Sequence, residues 1–154
     1  MPAHKASGNF TILFNTLTHL QRKQFMNLHS AYHLTQTQIE QFRQDGYIKL
    51  KDVLDAETLA HYGSEITRLT IELNTQHLPL EERSTYDKAF LQVMNLWEHS
   101  PVVNEFVNGK RLARIAAELL EVDGVRLYHD QSLYKEPGGG ITPAHADQYY
   151  WPLS

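Results

Sequence analysis

Pro137 is followed by three glycines, Gly138-Gly139-Gly140, and five residues later by the tripeptide His145-Ala146-Asp147. Proline lacks an amide donor and glycine resists ordering, so no regular element runs through such a stretch. From Lys135 onward it reads as a strand end followed by a glycine-rich turn. Side chains alternate along an extended segment, which places His145 and Asp147 on one side of the chain beyond that turn. A neutral imidazole and a carboxylate so placed can reach one cation. A mixed nitrogen and oxygen pair suits non-haem Fe(II), where two His and one carboxylate hold one face of the ion and leave other positions open. Alone, the tripeptide is a weak signal, since surface polar residues produce it by chance.

The composition limits the alternatives. A chain of 154 residues with 42% hydrophobic and 21% charged residues has the profile of one soluble globular domain. The net charge of -4, without a basic block, gives no electrostatic footprint for nucleic acid. Cysteine is absent, which removes disulfides, thiolate nucleophiles and Cys-ligated metal centres. That absence fits a reducing, cytoplasmic setting. No apolar run approaches the roughly 20 residues that a membrane span requires.

Residues 1–33 differ from the rest. No acidic residue precedes Glu40, and His4, His19, His29 and His33 fall at irregular spacing, which reads as a poorly ordered leader with solvated imidazoles. The domain is expected over 34–154. Thr35 predicts the cap of a helix over 36–44 with Ile39 and Phe42 on its apolar face, ended by Gly46. A short strand is predicted over 47–50. Asp55 caps a second helix through Leu59, Tyr62, Ile66, Leu69 and Leu73. Residues 79–83 read as a loop and 90–97 as β-type, with Trp97 as core packing. Pro101 starts a short helix. Gly109 precedes an amphipathic helix that Asp123-Gly124 stops. A strand over 125–135 puts Leu127, His129, Gln131, Leu133 and Lys135 on one face, and Asp130 on the other, so His129 and Asp130 make poor partners for one ion.

The run Lys135–Pro152, with Phe42-Arg43-Gln44-Asp45-Gly46-Tyr47, Asn95-Leu96-Trp97 and Val125–Gln131 upstream, resembles the phytanoyl-CoA dioxygenase family of Fe(II)- and 2-oxoglutarate-dependent oxygenases. The likeness covers roughly residues 34–153. It implies an α+β fold in which an N-terminal helical layer packs on part of a double-stranded β-helix, jelly-roll or cupin-like, with the barrel incomplete. It further implies that His145 and Asp147 are the first two iron ligands, and that Lys135, Gln131 and Trp151 face the co-substrate or substrate. Tyr149 is a further aromatic at the barrel mouth. A Lys ammonium is a fitting counter-charge for a dicarboxylate, and a Gln amide can donate to its oxygens. The plainer readings are a solvated strand end for Lys135 and packing for the two aromatics. Ala146 departs from the family, many members of which carry Gln there.

The implied reaction decarboxylates 2-oxoglutarate with O2 to succinate and CO2 and hydroxylates a small organic substrate. The family's third ligand is a downstream His followed by a basic residue, usually Arg. Here no His or Arg follows Asp147. The expectation is therefore a truncated N-terminal portion of such an enzyme, weakly active or inactive alone, paired with a C-terminal portion or self-associated through exposed barrel edges. The alternative is a non-catalytic, degenerate barrel module that binds a partner. A hydrolytic zinc site on the same two residues is a third reading, disfavoured by the lack of a His-rich companion motif.

Overall fold

The computed structural model describes residues 27–149 and 151. The first 26 residues, with His4 and His19, lie outside the described residues, as does Tyr150. Helix α1, Gln36–Asp45, opens on a reciprocal capping box: Thr35 accepts from the Gln38 amide while the Gln38 side chain accepts from the Thr35 amide. Gly46, at φ 76°, closes it by donating to the Phe42 carbonyl. Helix α2, Ala56–Leu73, starts at Asp55, whose carboxylate accepts from the Thr58 amide. That bond, made to the charged form, holds the Asp55 carboxyl below its usual range.

Residues 47–50 form no strand, contrary to the sequence expectation. Their burial alternates, but Tyr47 stays 70% exposed and no strand among the described residues pairs with them. Amphipathic alternation selects a face, whereas a ladder needs a partner. The 79–83 loop contains one 3-10 turn, Leu80–Glu82. Strand β1, Leu91–Met94, ends where Asn95 turns left-handed at φ 55° into a second 3-10 turn, Leu96–Glu98. Ser100 caps helix α3, Pro101–Val107, accepting from the Val102 amide with proline in the first turn. Helix α4, Lys110–Leu120, stops at Glu121, in left-handed conformation at φ 54°, ahead of the expected stop at Asp123-Gly124.

Strand β2 is shorter than expected: only Gln131–Tyr134 pairs, antiparallel to β1, with Leu91 opposite Tyr134 and Val93 opposite Ser132. Among the described residues the sheet has two strands and is not closed. One face, Leu91, Val93, Ser132 and Tyr134, is turned to α2. There Thr70 Oγ1 donates to Ser132 Oγ at 2.8 Å, and Thr67 Oγ1 meets Tyr134 Oη at 2.5 Å. Leu69, Val93, Leu96 and Val103 form the core, with Ile66, Leu73 and Val107 against it. The other face keeps Met94 and Leu133 38% and 47% exposed.

The N-terminal side of the fold reaches back to Leu28, which is 1% exposed and lies against Gly109. A β-carbon at Gly109 would sit 2.9 Å from the Phe106 carbonyl oxygen and 3.4 Å from Leu28 Cβ. Arg111 fastens this segment. Its buried guanidinium donates to the Ser30 carbonyl at 3.1 Å, to Ser30 Oγ, and to the Val53 carbonyl at 2.6 Å.

Candidate metal centre

The glycine turn is required by its surroundings. Gly138 has φ 75°, a region that side chains disfavour. A β-carbon on Gly139 would fall 2.9 Å from the Glu136 carbonyl oxygen and 3.0 Å from that of Lys88. Gly140 donates to the Lys88 carbonyl at 2.6 Å and Gly139 to the Glu136 carbonyl at 2.9 Å. Side chains complete the anchorage. The Arg83 guanidinium, mostly buried, pairs with the Glu136 carboxylate and also donates to the Leu78 carbonyl at 2.8 Å. The Lys135 ammonium donates to the Gly140 carbonyl at 2.7 Å and to Thr142 Oγ1 at 3.0 Å, with the Phe90 ring 5.5 Å away.

Beyond this turn the expected strand is absent. Residues 141–146 join no ladder, and Asp147 opens a 3-10 turn, Asp147–Tyr149, stitched by the Tyr149 amide to the Ala146 carbonyl at 3.2 Å. His145 and Asp147 nevertheless converge: His145 Nε2 lies 3.3 Å from Asp147 Oδ1. His145 Nδ1 sits 2.9 Å from the Pro143 carbonyl oxygen. A carbonyl can only accept, so Nδ1 donates a hydrogen to it, and Nε2 is the atom facing the carboxylate.

This spacing fits a metal. Two ligand atoms each about 2.1 Å from one ion, at about a right angle, stand about 3 Å apart. Both side chains are solvent-accessible, 44% and 82%, so an ion has a path to them. Among the described residues no group of three or more His, Cys, Asp or Glu comes together. The cluster is a pair.

The other predicted site residues take separate places. Gln131 lies on the open sheet face, where its Oε1 accepts from Gln92 Nε2 at 2.8 Å. Lys135 follows two residues beyond Leu133 on that face and turns to the glycine loop. Trp151 packs tilted on His129, 4.8 Å between ring centroids, and edge-on to Tyr128 at 5.7 Å. Its amide donates to the Asp147 carbonyl at 2.8 Å, so the stacked indole fastens the far end of the 3-10 turn. Tyr149 is exposed.

Asp130 turns away from His129. Its carboxylate accepts from the Leu96 and Trp97 amides at 3.1 and 3.2 Å, and its carbonyl from Asn95 at 2.9 Å. It caps the turn that ends β1 and thereby aligns the start of β2. Sequence reading missed this role and that of Arg83 with Glu136. Bonds spanning more than thirty residues leave no local pattern.

An open antiparallel sheet backed by helices, with a His-x-Asp pair beyond a glycine turn, defines a mixed helix-and-sheet protein. The chain matches the family model described as phytanoyl-CoA dioxygenase (PhyH) over residues 42–154, and it belongs to that family of dioxygenases. No curated protein and no solved structure matches it. No helix among the described residues is long and apolar enough to cross a membrane.

Proposed function

We propose that the chain contributes the first two protein ligands, His145 and Asp147, of an Fe(II)- and 2-oxoglutarate-dependent oxygenase that hydroxylates a small organic substrate. The single observation that carries this is the 3.3 Å approach of Nε2 to Oδ1 with the Nδ1 hydrogen held on a carbonyl. A proton or a cation placed between Nε2 and Oδ1 would be held by both atoms. In this reading Fe(II) takes that place, a choice that the match to the phytanoyl-CoA dioxygenase family supports. Its bound form would supply the oxidising chemistry. The part of the protein is to fix the imidazole tautomer, present both donors on one side and hold the carrying turn still.

Lys135 supports the co-substrate part of the proposal. Its ammonium is held by two neutral oxygens, and among the described residues no carboxylate lies within ion-pair distance, so a dicarboxylate would find an uncompensated positive charge. Gln131 offers an amide donor and Trp151 an aromatic wall on neighbouring parts of the fold. The open sheet face is the inner face of the double-stranded β-helix in this reading. With a pair rather than a triad among the described residues, a further segment or a second chain completes the ligand set. A non-catalytic module acting through the same open face is the alternative, favoured by the exposure of Met94 and Leu133.

Anaerobic titration with Fe(II) or Co(II) is the test. The chain should bind weakly, and His145→Ala or Asp147→Ala should abolish that binding. Binding unchanged in both variants would remove the proposed site. Tight stoichiometric iron with succinate formation by this chain alone would show that the ligand set is already complete.

A further inference from the structure

Residues 141–147 are exposed throughout and lie outside every ladder, yet the geometry of the pair within them is specific. What holds the approach to it is the Lys135 side chain. From the end of β2 it crosses the glycine reversal and donates both to the Gly140 carbonyl and to Thr142 Oγ1, three residues before His145. Lysine is well suited here, because its long unbranched stem spans the turn and three donors on one nitrogen serve two acceptors at once. The glycines and the Arg83–Glu136 ion pair fix residues 136–140. The bond to Thr142 carries that order past Ile141, which is 84% exposed and has no packing to restrain it.

We infer that Lys135 is a positioning residue for the metal pair, a latch that couples the rigid end of β2 to the segment bearing His145 and Asp147. The inference rests on the proposed metal role for its second consequence but not for its first. The first is mechanical: without the ammonium, residues 141–146 lose their attachment to the end of β2 and are held from the far side, where the Trp151 amide binds the Asp147 carbonyl. The second is functional: donors that must be ordered before they ligate bind a cation less tightly.

The experiment compares the full chain with Lys135→Met, which keeps the stem and removes the ammonium, with Thr142→Val, and with the double variant. Amide hydrogen exchange over 139–147 should rise about 5- to 10-fold in Lys135→Met, the size of one or two exposed hydrogen bonds, with α2 and α4 unchanged. Co(II) affinity should fall by a similar factor, read from its visible absorption bands. Thr142→Val should give a smaller effect, and the double variant should be no worse than Lys135→Met, because the shared bond is already lost. Unchanged exchange over 139–147 in Lys135→Met, or additive effects in the double variant, would overturn the latch. A wild-type chain that takes no Co(II) would sink the metal reading, while the exchange data would still decide on Lys135.

Discussion

The helical layer and the C-terminal segment are built on different principles. From Leu28 to Leu120 three helices carry their own start signals, Thr35, Asp55 and Ser100, and α2 and α3 bury residues in a shared core with β1. Order is redundant there: removing one contact leaves many. From Val122 to Trp151 most residues are exposed, only four pair in a strand, and shape depends on a handful of long-range attachments. Asp130 sets the strand entry, Arg83 with Glu136 and the three glycines set the turn, Lys135 tethers the loop, and Trp151 pins the end. Order there is singular, so single substitutions should remove function without unfolding the protein.

The largest effect should come from breaking the redundant half. Leu69→Ala leaves a void in the core between α2, β1 and α3, and denaturant titration should show a loss of about 2–5 kcal/mol. Exchange protection should fall across the entire fold rather than in one element.

Gly139→Ala should cost less, about 1–3 kcal/mol, because its methyl group meets two carbonyl oxygens that only backbone movement can relieve. The distinguishing readout is where protection is lost. The contrast between the two regions predicts loss confined to 136–147, and a uniform loss would mean that they unfold as one.

Acid should act on the helical half first. Glu65 accepts from Arg68 and from Ser100 Oγ at 2.7 Å, and these bonds to its charged form, the Arg68 one foremost, depress its pKa from 4.5 to about 2. A depressed carboxylate stabilises the fold above the unfolded value and loses that contribution as pH falls through the folded one. Stability should therefore decline between pH 4.5 and about 2, and Glu65→Gln should flatten the decline in that window. An unaltered acid profile in Glu65→Gln would place the acid sensitivity elsewhere.

The smallest stability change should follow His145→Ala and Asp147→Ala, within about 0.5 kcal/mol, since both side chains are exposed and cap no element. The same variants that leave the melting curve untouched should abolish metal binding. A clear drop in melting temperature would assign the pair a structural role instead.

The sequence was most legible where interactions are local. Thr35, Asp55, Pro101 and Gly46 stand within one turn of what they cap or end, and the structure shows helices at those positions. Strand extent was less legible. Burial alternates over 47–50 and the composition suits a strand over 125–130, but pairing depends on a partner that no single segment encodes. Leu59 falls at helical spacing yet is exposed, because spacing identifies a stripe without saying how wide a neighbour covers it. The two-residue spacing of His145 and Asp147 reads as one-sided, and the two side chains lie together, with Asp147 opening a 3-10 turn. The anchors of the glycine turn, the Arg83 guanidinium and the Lys88 carbonyl, lie far off along the chain or belong to the backbone, and neither kind announces itself in composition.

The guanidinium of Arg111 has a practical corollary for anyone preparing this protein. Two of its three acceptors belong to Ser30, and Leu28 beside it fills the space over Gly109. A cut or a fusion junction placed just ahead of α1 would strand a cation in a dry recess and uncover a hollow beside it. Material trimmed at that point should precipitate or yield poorly, and starting upstream of Leu28 should rescue it.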